Sequence, residues 1–250
     1  MTQQPETTSS ETGLKKKRIL VLGGSSGIGL EVARQAFARG AEVVLASSNG
    51  PRVEEVVRSL GGEVEGYTLD LRDEGAIRAF FEKLGKLDHL VYTAGDSLQL
   101  AELATADLNR ARQAFELRYW SALMAVKYSS GQIRQGGSIV LTTGIAGARP
   151  RKGWIFGASV CGAVEAMTRA LAVELAPIRV NAVSPGVVRT NLWQALNEAE
   201  RAAMYENVGK SLLVGRVGEA NEIARAYIFL MEEGFSTGQI VVVDGGTLLV

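Results

Sequence analysis

The sequence predicts one α/β domain, a doubly wound parallel sheet of about seven strands with helices on both faces. Three features predict it. Short apolar runs of strand length alternate with amphipathic stretches of helical spacing almost to the C-terminus. A glycine-rich turn joins the first apolar run to the first helical stretch. No internal repeat and no linker-like break divides the chain, and 250 residues suffice for one large domain with a substantial core.

Taken in order, residues 19–22 form the first strand, ended by glycines, and 30–39 follow with helical spacing. Residues 42–46 are the second strand; a polar turn and a helix near 53–60 come next. The third strand spans 64–69 with a helix over 74–84, the fourth spans 89–93 and the fifth 137–142. Residues 178–183 and 239–243 are the sixth and seventh, and helices fill the gaps between the later strands. Ahead of this pattern, the first 13 residues are polar and lack an apolar signal core. The expected organisation is a disordered tail over 1–16 and a domain over 17–250. Lys15, Lys16, Lys17 and Arg18 read as a solvated lead-in to the first strand rather than an anion-binding patch.

Composition sets limits on function. Hydrophobic residues make up 46% and charged residues 22%, as in soluble globular proteins. Lys plus Arg and Asp plus Glu are 27 each, so no net charge draws the chain toward nucleic acid or an anionic membrane. No uninterrupted apolar run is long enough to span a bilayer. The single cysteine, Cys161, excludes an intrachain disulfide and points to a reducing, cytoplasmic setting. With one histidine beside it, no structural zinc site is expected.

The turn Gly23-Gly24-Ser25-Ser26-Gly27-Ile28-Gly29 stands between the first strand and a helix. Glycines there let backbone approach a pyrophosphate, and the helix start directs free N–H groups at the anion. Gly23, Ser25, Ser26, Gly27, Ile28 and Gly29 are therefore candidate cofactor-binding residues. The Gly-x-x-x-Gly-x-Gly spacing resembles that of the short-chain dehydrogenase/reductase family, a Rossmann-type fold. Further motifs follow in that family's order over about 17–250. Asp70-Leu71 resembles the pair that holds adenine, and Thr93-Ala94-Gly95 resembles Asn-Ala-Gly with threonine in place of asparagine. The segment from Arg179 through Pro185 and Gly186 resembles the approach to the nicotinamide, with Val188 and then Thr190 on the pyrophosphate side. Gly215-Arg216-Val217-Gly218, Thr237-Gly238-Gln239 and Val243-Asp244-Gly245-Gly246 resemble its C-terminal signatures. The resemblance implies a bound nicotinamide dinucleotide and a symmetric dimer or tetramer, with Leu248, Leu249 and Val250 suited to an interface.

An acidic residue after the second strand would hold the ribose hydroxyls of NAD(H) and repel a 2′-phosphate. The chain instead reads Ala46-Ser47-Ser48-Asn49-Gly50-Pro51-Arg52. Ser47, Ser48 and Arg52 offer donors to a phosphate, so NADP(H) is favoured over NAD(H), although the same residues also suit an ordinary turn.

The resemblance also implies a tyrosine proton donor, a lysine four residues on, a substrate-orienting serine and a supporting asparagine. Aligned on Gly147 and on Gly162-Ala163-Val164-Glu165, the chain places Gly144 at the serine, Gly157 at the tyrosine and Cys161 at the lysine. Phe115-Glu116-Leu117-Arg118 places Arg118 at the asparagine. A positioned general acid contributes about 10²–10⁴-fold, so ordinary chemistry of this kind should be largely lost while cofactor binding survives. Weak substitute candidates are Thr143, Tyr119 and Cys161, with Lys152 in the preceding loop; His89 reads as a strand-edge residue.

Trp154, Ile155 and Phe156 are expected to line the cleft, and 191–213 to form a lid with Leu192, Trp193, Leu196 and Met204 on an apolar face. Plain helix packing explains that face equally well. Two functions remain in view. One is an NADP(H)-dependent oxidoreductase acting on a small apolar carbonyl or alcohol with atypical or weak chemistry. The other is a catalytically inactive dinucleotide-binding regulator or partner subunit.

Overall fold

The structure is a computed structural model, and it describes residues 13–61, 63–97 and 100–250. The first half of the fold runs β1 (Arg18–Leu22), α1 (Gly27–Phe37), β2 (Glu42–Ser47), α2 (Gly50–Ser59), β3 (Glu65–Thr68), α3 (Glu74–Leu84) and β4 (Leu87–Tyr92). Then come α4 (Leu108–Phe115), a π-helical turn over Glu116–Trp120, α5 (Ser121–Ser129), β5 (Ile133–Thr142), α6 (Ile155–Glu174) and β6 (Arg179–Pro185). The chain ends through β7 (Val188–Arg189), α7 (Glu198–Ser211), β8 (Gly218–Glu219), α8 (Ala220–Glu232) and β9 (Ile240–Val243). Seven strands pair in the order β3-β2-β1-β4-β5-β6-β9, all parallel.

Alternation along each strand sorts the core into two layers. Leu20 and Leu22 of β1, Leu90 and Tyr92 of β4 and Ile139 and Leu141 of β5 meet Ile77 and Phe81 of α3, Ala122 and Val126 of α5 and Val164 and Met167 of α6. Ile19 and Val21, Val91 and Val140 face the other way, toward Val32, Ala33 and Ala36 of α1 and Ile223, Tyr227 and Ile228 of α8. Burial of one such large side chain is worth about 1.5–3 kcal/mol. Helix α6 is long and apolar enough to cross a bilayer by composition, but its stripe Phe156, Val160, Val164, Met167 and Leu171 is buried against the protein.

Helix starts follow local chemistry. Asn49 Oδ1 accepts from Arg52 N at 3.0 Å to cap α2, and Asp73 Oδ1 accepts from Ala76 N at 3.0 Å to cap α3. Asn197 and Glu200 form a reciprocal capping box on α7.

The structure adjusts several boundaries. The first helix begins at Gly27 rather than 30, because the glycine turn itself winds into the helix. Strand β5 starts at Ile133, earlier than 137, beyond a register shift against β4. The two-residue β7–β8 ribbon and the π turn carry too few residues for a periodicity to announce them. Of the expected tail, 1–12 lie outside the described residues. Leu14 is buried and Lys16 N donates to Gly40 O at 2.7 Å, so packed chain starts before residue 17. His89 is no edge residue: β4 lies between β1 and β5, and the ring is buried with Nδ1 2.8 Å from Ser138 Oγ.

Candidate functional site

A cleft of about 400 Å3 opens along the C-terminal ends of β1, β2, β4, β5 and β6. The chain runs outward from β1 through β2 to β3 and then crosses back to β4 on the other side of β1, so the strand order reverses between β1 and β4, the crevice where open α/β sheets take ligands. Backbone approach at its centre leaves no room for side chains. A Cβ at Gly23, whose φ is +88, would lie 2.6 Å from Ala94 N, and one at Gly29 would overlap Thr93 Oγ1 and the Gly23 carbonyl. Gly23 N is anchored to Ala46 O at 2.8 Å and Thr93 N to Leu22 O at 2.8 Å, so neither neighbour can give way cheaply. Helix α1 begins against this floor with no side-chain cap and no acidic residue in its first turn. An uncapped helix start with its partial positive charge is a ready anion site.

Sixteen of the seventeen candidate cofactor residues line this cleft: Gly23, Ser25, Ser26, Ile28, Gly29, Ser47, Ser48, Arg52, Asp70, Leu71, Ala94, Gly95, Pro185, Gly186, Val188 and Thr190. Gly27 does not line it; a Cβ there would rest 3.5 Å from the Thr190 side chain, so Gly27 seats the helix start against that threonine. At the β2 end, Ser25 Oγ donates to Ser47 Oγ at 2.8 Å, fixing one serine against the glycine turn. Ser48 and Arg52 are exposed beside it, and the Arg52 guanidinium has no hydrogen-bond or ion-pair partner among the described residues. Asp70 accepts from Arg72 N at 3.0 Å between the buried Leu69 and Leu71. Three arginines (Arg52, Arg72, Arg118) and two aspartates (Asp70, Asp96) line the cleft, a net positive balance suited to a polyanion. Glycine floor, uncapped helix and unpaired guanidinium together fit a dinucleotide.

At the far end the four positions aligned in the sequence with the catalytic residues come together. Gly144, Gly157, Cys161 and Arg118 all line the cleft. Arg118 is carried on the π turn. Its Nη2 donates to the Asp96 carbonyl, its Nε lies 3.8 Å from Asp96 Oδ1, and Asp96 is also bound by Arg72 Nη2 at 3.1 Å. The guanidinium lies over Gly95, where a Cβ would fall 2.9 Å from Arg118 Cζ. Arg118 Nη1 has no hydrogen-bond partner among the described residues.

The weak catalytic candidates fare unevenly. Thr143 lines the cleft, but its Oγ1 is turned to α6, donating to Cys161 O at 3.1 Å and lying 3.4 Å from Glu165 Oε1. The reason is its hydrogen bonding, since these contacts with α6 hold the hydroxyl away from the cleft. Tyr119 is not among the lining residues; it packs on the core and meets the Trp120 ring edge-on with centroids 5.0 Å apart. Burial pushes the Cys161 thiol up from its ordinary range, so it faces the cleft uncharged. Lys152 points away, 2.9 Å from Glu102.

Of the aromatic trio, Trp154 alone lines the cleft; Ile155 is exposed on another groove and Phe156 turns into the core, as a helix must divide three consecutive residues. Opposite Trp154 stands a short 3₁₀ turn, Asn191–Trp193, whose Leu192 N donates to Thr190 Oγ1 at 3.3 Å. Leu192, Trp193 and Gln194 line the cleft, whereas Leu196 and Met204 do not; Met204 packs with Trp193, Tyr205 and Val217. Trp193 is fixed, its Nε1 donating to Val188 O at 3.0 Å. Sequence reasoning did not single out Asn49, Arg72, Asp96 or Gln194, which also line the cleft. The sequence signal for Arg118 was available: the alignment expected from the resemblance puts Cys161 at the lysine position and an arginine, Arg118, at the asparagine position.

The family model described as Enoyl-(Acyl carrier protein) reductase matches residues 23–247. The chain is 37% identical over 251 residues to the short-chain dehydrogenase/reductase ATR9 of Stachybotrys chlorohalonatus, covering 94% of this chain and 98% of that protein. It matches a small-chain dehydrogenase solved in complex with NADPH at 38% identity and a TM-score of 0.84, over 94% of this chain and 100% of that one. It matches the MalC reductase/Diels-Alderase of Malbranchea aurantiaca at 29% identity and a TM-score of 0.87, over 95% and 98% of the two chains. The chain belongs to the short-chain dehydrogenase/reductase family.

Proposed function

We propose that this family member is an NADP(H)-dependent reductase of an apolar carbonyl compound, in which Arg118 stabilises the oxygen that gains charge. The observation that carries the reading is the place of Arg118: a cation whose Nη1 has no hydrogen-bond partner among the described residues, at the end of the cleft where Gly144, Gly157 and Cys161 stand at the positions the resemblance gives to serine, tyrosine and lysine. Bound NADPH supplies a hydride. The carbonyl carbon accepts it, the C=O π pair moves to oxygen, and that oxygen takes its proton from water. Arg118 contributes by donating Nη1–H to the developing oxyanion while Asp96 fixes the other edge of the guanidinium. An arginine is too weak an acid to deliver the proton itself.

The same reading assigns the pyrophosphate to the floor from Gly23 to Gly29 with Thr190 opposite, adenine to Asp70 and Leu71, and the 2′-phosphate to Ser47, Ser48 and Arg52. The NADPH complex of the 38% identical structure supports this cofactor. Exposed Phe235, Leu249 and Val250 support a homodimer or homotetramer.

A second reading, dinucleotide binding without turnover, is favoured by the missing proton donor. One experiment separates them: NADPH is titrated by fluorescence, then its oxidation is followed at saturation over a panel of apolar ketones and enones. Turnover that falls about 10²-fold or more in Arg118→Met, with a smaller change in NADPH Kd, is expected. Tight NADPH binding with no oxidation over the whole panel gives the protein to the second reading.

A further inference from the structure

Gly144 and Gly157 stand where the family's serine and tyrosine side chains would occupy the cleft, and their space has not been refilled. A Cβ built at Gly157 meets nothing within 4 Å, and one at Gly144 meets only Cys161 Sγ at 3.4 Å and Pro185 O at 4.0 Å. Both positions face the same cleft. The space is part of the open cleft, so it is available to a ligand rather than filled by the protein.

The surroundings define what the gap can hold. Cys161 forms its floor as a half-buried thiol that desolvation keeps neutral. Trp154 and Val160 of the α6 region and Trp193 of the 3₁₀ turn supply apolar wall. Trp193 is locked by its bond to Val188 O at 3.0 Å, so this wall cannot fold in to close the space. Among the described residues, Arg118 is the cation that lines the cleft close enough to act on the Cys161 thiol, while Asp96 is already engaged by Arg118 and Arg72 and the neutral Asn191 and Gln194 also line the cleft.

We infer that the two glycines form a subsite for a flat, bulky ring, and that the substrates are aryl or fused-ring carbonyl compounds, neutral or anionic but not cationic. The ring takes the volume of the absent phenol and hydroxymethyl group, and its carbonyl edge turns toward Arg118. The inference rests on the reductase reading for the role of that carbonyl, but the ring site itself is measured by binding alone. Aromatic rings gain both area burial and edge or face contacts in such a slot.

The test uses the NADPH-loaded full chain and acetylnaphthalene, with butanone as the small counterpart. Quenching of Trp154 and Trp193 fluorescence reports the ring, independently of turnover. Saturable binding of acetylnaphthalene is expected, weakened slightly by Gly157→Ala and at least about tenfold by Gly157→Phe and by Gly144→Val. Each variant must keep the wild-type melting temperature within a few degrees; Gly157 lies in the first turn of α6, where a larger residue favours the helix. Affinity unchanged in both Gly157→Phe and Gly144→Val overturns the subsite, as does acetylnaphthalene binding no tighter than butanone. If acetylnaphthalene binds, the filled variants lose it and NADPH is nevertheless never oxidised, the reductase reading falls and the subsite stands.

Discussion

Removing the Arg52 side chain should change which dinucleotide the protein prefers without disturbing the fold. The substitution Arg52→Ala keeps the cap of α2, because that cap uses the Arg52 backbone N–H, which donates to Asn49 Oδ1 at 3.0 Å. Only the guanidinium is lost, and it has no partner among the described residues, so no ion pair within the fold is broken. A hydrogen bond to a charged group is worth about 1.5–3 kcal/mol. Arg52 is exposed, and solvent screening brings the figure to about 1–2 kcal/mol. At about 1.4 kcal/mol per tenfold, the NADPH Kd should rise roughly 5- to 30-fold. NADH has no 2′-phosphate, so its Kd should change by less than about twofold on the same scale. Paired fluorescence titrations of NADPH and NADH at low and high salt check both numbers. The wild-type preference should shrink as salt rises, since the pair is screened. Equal losses for both cofactors, or a preference that survives the substitution intact, would refute the assignment of Arg52 to the 2′-phosphate.

Three further outcomes follow from the geometry. Gly29→Ala pushes a methyl into the Gly23 carbonyl and Thr93 Oγ1, an overpacking that costs about 1–3 kcal/mol, so thermal unfolding should shift down by several degrees and NADPH Kd should rise more than about tenfold. Burial holds the folded His89 at about 4 against 6.5, so as pH falls the unfolded chain takes up the proton first; this stability is complete above about 6.5 and is lost between there and about 4. The gap is worth about 3 kcal/mol, and urea midpoints at pH 7 and 4.5 should show a shallower acid loss in His89→Asn. Cys161 is the only thiol in the chain and burial pushes it up, so iodoacetamide at pH 8 should label it more than about tenfold slower than free cysteine, and slower still with NADPH bound.

The fold was legible because its signal is repeated. Central strands of a sheet covered on both faces are mostly apolar, and β1 and the apolar stretches of β4 and β6 each announce themselves without help from the others, whereas the exposed edge strand β3 is polar. The glycine turn was legible for a different reason: contact between backbones at Gly23 and Gly29 excludes any side chain, so chemistry dictates residue type. What escaped was orientation. Trp154, Ile155 and Phe156 are consecutive and equally apolar, and only the start of α6 decides which of them meets the cleft. His89 read as an edge residue because a histidine in an apolar strand invites that inference; the Ser138 hydroxyl that satisfies it lies 49 positions away in sequence. Asp96 and Arg72 were invisible for the same reason, since their bond spans 24 positions between two loops.

The two halves of the cleft depend on different things, and this explains how one could change while the other did not. Phosphate recognition rests on the path of the backbone and on a helix start, properties that many side-chain substitutions leave untouched. Proton delivery rests on the identity of single side chains. On the proposed alignment, positions 144, 157 and 161 carry two glycines and a half-buried thiol where the resemblance implies an ordering hydroxyl, an acid and a cation. A cation reappears at 118, on a π turn whose extra backbone bulk sets it over Gly95, and π turns often occur where function needs a side chain re-aimed. Arg118 lies in the same cleft, pinned by Asp96, with no partner for Nη1 among the described residues, an arrangement that simple loss of activity does not require. That pairing is the physical ground for preferring altered chemistry to none. Replacing Arg118 with lysine sharpens the point: an ammonium has three donors but no rigid planar fork, so anchoring it on Asp96 does not aim a second donor at a substrate oxygen. Arg118→Lys should therefore lower kcat by about the same factor as Arg118→Met, and a lysine variant with wild-type kcat would show that charge alone, without the bidentate anchor, is what the cleft requires.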